Sequence, residues 1–138
     1  MKREPAIWTA NWHMLLPSDF VVIGISRSTP RDRRGYRRLR ALEPGCWWNS
    51  VDKAAYCRLY RDEILGRLDA YEIVECIRRM AGNRPAALTC WERPGDGWCH
   101  RGQVAAWLSQ RTGIVVREFG YEGFERDHPM LCRYVLAV

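Results

Sequence analysis

Phe20-Val21-Val22-Ile23-Gly24-Ile25 is the stretch on which the fold turns. It is a continuous, largely β-branched apolar run with no polar residue on alternate positions. That is the pattern of a strand buried on both faces, and such strands belong to parallel sheets with connections packed over them. Ser26-Arg27-Ser28-Thr29-Pro30 follows, and Pro30 blocks further extension.

Working outward, Ala6–Ala10 (AIWTA), Pro85–Cys90 (PAALTC) and Ile114–Phe119 (IVVREF) read as further strands. Between them lie segments of helical period. Ser50 or Asp52 can cap a helix running to Leu65, with Tyr56, Leu59, Tyr60 and Ile64 on one face. Asp69 caps a second to Ala81, with Ile73, Val74 and Ile77 in its apolar stripe and Gly82 as its stop. A third runs from His100 to Arg111 with Val104, Trp107 and Leu108 inward and Gly113 after it. Strands separated by helices predict an α/β chain, a small three-layer Rossmann-like domain with a mainly parallel sheet. The 138 residues make one domain, without repeats or a linker. Residues 119–138 form a tail with little pattern, in which Tyr134–Val138 is a candidate edge strand.

The hydrophobic fraction of 47% and charged fraction of 28% are those of a globular chain with a real core. No apolar run approaches the ~18–20 residues of a bilayer span. The start, MKREPAIWTANW, lacks the apolar segment of a secretory signal. The expected compartment is therefore the cytoplasm, with no membrane partner. In that setting the six Cys (46, 57, 76, 90, 99 and 132) read as free thiols rather than a disulfide framework.

The net charge is +6, and its distribution is uneven. RSTPRDRRGYRRLR, residues 27–40, holds seven Arg against one Asp, and the rest of the chain is balanced. Such a run is the footprint of a phosphate or nucleic-acid partner, or simply a solvated basic loop. Arg31, Arg33, Arg34, Arg37, Arg38 and Arg40 are the candidate nucleic-acid contacts, with Trp47 and Trp48 near as stacking surfaces.

In parallel α/β sheets ligands bind beyond the carboxyl ends of the strands. Those ends here carry Thr9 and Asn11, then Ser26, Arg27 and Ser28, then Cys90, Glu92 and Arg93. Cys99-His100-Arg101 opens the third helix. The first turn of a helix offers free amides and a positive dipole end, which favours anions and lowers a thiol pKa. Arg101 runs against that dipole, as expected where a bound anion compensates, and Gly102 allows a close backbone approach. Cys99 and His100 with Glu92 are the candidate catalytic set. Arg101, Arg27, Ser26, Cys90 and Tyr60 are the candidate anion or substrate contacts.

Plainer readings stand beside these. Cys99 can be an inert buried thiol, His100 a packing residue, and Arg101 a structural partner of Glu92, Asp96 or Glu118. Zinc on Cys90, Cys99, His100 and one more thiol fits the usual ligand spacings poorly. No Gly-rich phosphate loop, nucleophile elbow, HExxH or paired CxxC occurs, so no cofactor and no metal are expected.

AALTCWERPGDGWCHRGQVAAWL resembles the bacterial, archaeal and phage family called "domain of unknown function 488". That family has an apolar strand, Cys-x-Glu, a short Pro-containing turn, and Cys-His-Arg opening a helix. IWTANW, VVIGISRSTPR, LEPG and AYCRLYRDEIL are similar to its other motifs in order, across residues 6–118. The resemblance implies a compact α/β domain with a polar pocket at Ser26, Arg27, Tyr60, Cys90, Glu92, Cys99, His100 and Arg101. It supplies no reaction. Gly102 and the dense Arg content of residues 31–40 depart from the family pattern.

Three functions are compatible with these residues. One is an enzyme, a hydrolase or transferase, acting on a phosphorylated small molecule, nucleotide or nucleic-acid end. The second is a non-catalytic nucleic-acid-binding module, and the third a phage or bacterial protein-interaction module. The collection of reactive groups at strand ends favours the first. Oligomeric state is left open.

Overall fold

The computed structural model describes residues 6–94, 98–121 and 128–131. The strand proposed at Tyr134–Val138, with Asp96 and Cys132, lies outside them. Five strands form one sheet: β1 (Ile7–Asn11), β2 (Val21–Gly24), β3 (Arg37–Arg38), β4 (Ala86–Cys90) and β5 (Arg117–Glu118). Their order is β3-β2-β4-β1-β5, and every pairing is parallel. The α/β class and parallel sheet are as the sequence predicts.

Side-chain alternation along the strands builds two unlike faces. Ile7, Val21, Ile23, Ile25, Ala86 and Leu88 join one core with Ile73, Val74 and Ile77 of α2 (Ala70–Ala81) and Val104, Ala105 and Leu108 of α3 (His100–Thr112). α1 (Lys53–Leu59) meets α3 where Gln103 donates from Nε2 to the Cys57 carbonyl at 3.1 Å. The opposite face is covered by aromatic side chains and loops. Trp8 packs with Phe20 and Phe119, and Trp12 with Tyr36 and Trp91. Gly24 is required here, because a Cβ would sit 2.8 Å from the Trp12 ring.

The helix signals act as read. Asp52 Oδ1 accepts from the Ala55 amide at 2.8 Å, and Asp69 Oδ1 from those of Tyr71 and Glu72. Gly113 follows α3 at φ 78°, the left-handed stop that glycine favours. The single helix predicted to Leu65 is instead three pieces. α1 widens into a π turn at Tyr60–Ile64 and closes with a 3₁₀ turn at Leu65–Arg67.

Two corrections concern the strands. IVVREF contributes only Arg117–Glu118 to the sheet. Residues 37–40, predicted as loop, hold the edge strand β3 and the start of a 3₁₀ turn, with the Leu39 amide donating to the Gly24 carbonyl at 3.0 Å.

The cysteines need a third correction. Cys90 ends β4 and Cys99 is the residue before α3, and their sulfurs are joined in a disulfide. Cys57 is oxidised as well, and only Cys46 and Cys76 among the described residues are free.

Candidate functional site

The chain leaves β2 toward β3 at one edge and leaves β4 toward β5 at the other. β2 and β4 are neighbours, so their outgoing connections part and open a crevice at their carboxyl ends. Ligands of open α/β sheets bind at such a switch point. A cavity of about 330 Å³ lies there, near the lower end of the ~300–1,000 Å³ typical of small-molecule sites.

Ser26, Arg27 and Ser28 from the end of β2 line it, as do Cys90, Trp91 and Glu92 from the end of β4. Cys99 and His100 come from the start of α3, and Asp52, Lys53 and Tyr56 from the start of α1. Trp48 and Trp98 add aromatic wall. Six residues expected at the site therefore meet in one cavity: Ser26, Arg27, Cys90, Glu92, Cys99 and His100.

Their roles differ from the expectation in several places. The Ser26 hydroxyl donates to the Ser28 carbonyl at 2.6 Å and accepts from Trp12 Nε1 at 2.9 Å. Its only proton is committed, so Ser26 shapes the loop. Trp91 Nε1 donates to the Ser28 carbonyl at 2.9 Å and locks the same loop from β4. Arg27 is exposed and lines the cavity, with one Nη1 contact to the Pro44 carbonyl at 3.2 Å. Arg27 and Lys53 are the cationic lysine and arginine side chains in the lining.

Arg101 is displaced from its expected role as an anion contact. It is fully buried behind the cavity and does not line it. Nε and Nη2 donate to the two carboxylate oxygens of Glu118, each at 2.8 Å. Nη1 donates to Cys90 Sγ at 3.2 Å. Glu118 also accepts from the Thr9 hydroxyl at 2.7 Å, and His128 Nε2 stands 3.6 Å from its Oε1. A charge without water needs this many partners. Glu118, not a ligand, supplies the negative charge that Arg101 requires, which was one of the plainer readings.

Gly102 is corrected too. A Cβ there would lie 2.3 Å from the Met130 carbonyl carbon and 2.4 Å from the Leu131 nitrogen. The backbone that approaches is the chain's own. The Cys99 amide donates to the Met130 carbonyl at 3.0 Å, pinning residues 128–131 over the start of α3.

His100 is buried and its tautomer is determined. Nε2 donates to the Ile25 carbonyl at 2.7 Å, which leaves Nδ1 as an acceptor. Nδ1 faces the Tyr56 hydroxyl at 3.3 Å and Cys99 Sγ at 3.6 Å. Burial pushes its pKa down to about 4, with the Arg101 charge acting in the same direction and the Ile25 carbonyl opposing. His100 is therefore neutral at physiological pH.

Tyr60 does not reach the cavity. Its hydroxyl donates to the Leu42 carbonyl at 2.7 Å, and its ring supports His100 from behind at 5.1 Å. Burial raises its pKa well above the ordinary tyrosine value. Tyr56, one turn earlier, is the cavity residue that sequence reading missed, with its pKa raised by burial and by the Glu92 charge. The signal was the pair of tyrosines four apart, which fixes a shared face but not which ring reaches the pocket. Lys53 was missed as well, whereas Trp48, expected as a stacking surface beside the Arg-rich segment, lines this cavity.

The disulfide removes Cys99 from the list of free nucleophiles in this state. Cys90, Cys99 and His100 bring three potential metal-ligating atoms within 4.8 Å of one another, but the two sulfurs are bonded to each other.

The Arg-rich segment divides into two groups. Arg33 donates to the Trp12 and Met14 carbonyls and lies 5.9 Å from the Trp12 ring centre. Arg38 pairs with Glu43 at 2.9 Å. These two hold the loop against the sheet, whereas Arg31, Arg34, Arg37 and Arg40 are exposed.

No family model matches the chain, and neither the curated proteins nor the solved structures contain a match to it. No helix among the described residues is long and apolar enough to cross a membrane.

Proposed function

We propose that the cavity between β2 and β4 is the substrate site of an enzyme, a hydrolase or transferase, that takes a phosphorylated aromatic small molecule of nucleotide type. The observation that carries this reading is the lining itself. Trp48, Trp91, Trp98 and Tyr56 offer ring faces and edges for a base, and Arg27 and Lys53 lie within the same 330 Å³ for a phosphate. Glu92, exposed at the rim, is the group able to move a proton in contact with water. Membership of the "domain of unknown function 488" family belongs to the same proposal and rests on Cys90-x-Glu92 and Cys99-His100-Arg101.

Titration of mononucleotides against the protein's tryptophan fluorescence tests it. Saturable binding, weakened in Arg27→Ala and in Lys53→Ala, supports the site. Absence of saturation, or affinity indifferent to both changes, sinks it.

A second reading has its own observation. Arg31, Arg34, Arg37 and Arg40 are exposed around the edge strand β3, where four cations can neutralise a phosphate backbone. Steeply salt-dependent oligonucleotide binding that survives Arg27→Ala but not the loss of these four would move the function there.

A further inference from the structure

A disulfide that only staples a fold needs neither a base nor a cation beside it. The Cys90–Cys99 pair has both. Cys99 Sγ lies 3.6 Å from His100 Nδ1, which is left as an acceptor because Nε2–H is held by the Ile25 carbonyl, and which the Tyr56 hydroxyl also approaches at 3.3 Å. Cys99 also precedes the first turn of α3, where the helix dipole favours a thiolate over a thiol. Cys90 Sγ receives a hydrogen bond from Arg101 Nη1 at 3.2 Å, and Glu118 fixes that guanidinium in place. Each sulfur thus has its own means of becoming, or leaving as, an anion. Both line the cavity, which gives them a route to a small molecule.

We propose that Cys90 and Cys99 form a redox-active couple that exchanges with small anionic thiols and disulfides through the cavity, Cys99 being the sulfur that reacts with them. In the oxidising direction the Cys99 thiol, whose hydrogen bond the neutral His100 Nδ1 accepts, releases its proton to water in the cavity. The thiolate attacks one sulfur of the small disulfide, a mixed disulfide forms, and the first small thiolate leaves and collects that proton. The Cys90 thiolate, hydrogen-bonded to Arg101, then attacks Cys99 Sγ. The Cys90–Cys99 bond forms and the second small thiolate leaves, taking the proton that Cys90 gave up. Two electrons and two protons pass from the protein dithiol to the small disulfide, and two small thiols reverse the sequence. This function does not depend on the nucleotide reading, and the two are tested by different readouts.

The experiment equilibrates the full chain in mixtures of reduced and oxidised glutathione, quenches with a maleimide, and maps labelled cysteines by peptide mass. The expected result is a two-thiol transition of Cys90 and Cys99 together in the native protein. Cys90→Ser is expected to accumulate glutathione as a mixed disulfide on Cys99. Cys99→Ser is expected to accumulate at least about tenfold less on Cys90, which lacks the neighbouring base. A pair that stays oxidised in reduced glutathione unless the chain is unfolded overturns the proposal by making the bond structural. So does equal labelling of the two single variants, which removes the distinct role of Cys99. A reduced protein that takes up one zinc per chain and then resists maleimide at both residues also overturns it, in favour of a metal centre. The wild-type titration stands by itself if either variant fails to fold.

Discussion

Arg27 and Arg101 both follow strand ends on the same side of the sheet, and they live in opposite surroundings. Arg27 is exposed at the cavity, with a single backbone contact from one of its nitrogens. Arg101 has no accessible surface and spends its donors on Glu118 and Cys90. A guanidinium in water is free to choose a ligand. One without water must have its partner built in, or the fold does not form. The comparison teaches that the Arg of a Cys-His-Arg motif can serve a pocket from behind, by holding a sulfur, while the residue open to ligand comes from the neighbouring strand.

The strongest way to break this comparison is to remove Arg101. Arg101→Ala leaves the Glu118 carboxylate buried without its counter-charge and is expected to cost about 3–5 kcal/mol in denaturant unfolding. Replacing both partners by apolar residues, Arg101→Met with Glu118→Leu, is expected to recover most of that loss. If Arg101→Ala instead leaves stability alone and abolishes ligand binding, the two arginines have been assigned the wrong way round.

Acid probes the same sealed region. Burial lowers the pKa of His100, and of His128 beside Glu118, from 6.5 to about 4. Between those values the unfolded chain holds more protons than the folded one, so stability falls as pH falls. Between those values each histidine contributes a slope of roughly 1.4 kcal/mol per pH unit; the stability it carries is present in full above the unfolded pKa and is lost as pH falls toward the folded one. Unfolding midpoints measured across that window are expected to show this slope, and His100→Asn to halve it.

Gly102→Ala tests the close approach that seals the region. Its methyl would overlap the Met130–Leu131 backbone, and an overpacking loss of about 1–3 kcal/mol is expected from thermal melts. Arg27→Ala sharpens the other side of the comparison. It is expected to weaken mononucleotide binding about tenfold, or about 1.4 kcal/mol, with no change in melting temperature. The smallest effect is reserved for Arg31, Arg34, Arg37 and Arg40. Alanine at all four is expected to change stability by less than about 0.5 kcal/mol per site and to leave nucleotide affinity unchanged.

Local chemistry was legible in the sequence wherever the deciding group is near in the chain. Asp52 and Asp69 cap because their carboxylates reach amides two or three residues away, and Gly82 and Gly113 stop helices for the same kind of reason. Cys90, Glu92, Cys99 and His100 meet in a pocket because the end of β4 and the start of α3 lie close in the chain. What the sequence withheld depends on distant partners. Nothing near Arg37 and Arg38 marks a strand, since they pair with β2 through backbone alone while Tyr36 packs on Trp12. Val115 is β-branched yet 61% exposed, and the ladder forms only at Arg117, where β1 offers a partner. The departure of Arg101 from its expected role follows from Glu118, which is 17 residues away and beside it only once β5 docks on β1.

The two outer strands carry a further consequence. β3 and β5 are two residues each, Arg37–Arg38 and Arg117–Glu118, with a charged side chain at every position. Among the described residues the sheet border is this brief and charged, and on the β3 side a foreign strand would have to desolvate the exposed Arg37 for a single ladder bond, which makes a poor template. The same arginines that make the chain basic therefore guard it against stacking edge to edge into fibrils, whatever ligand the interior serves.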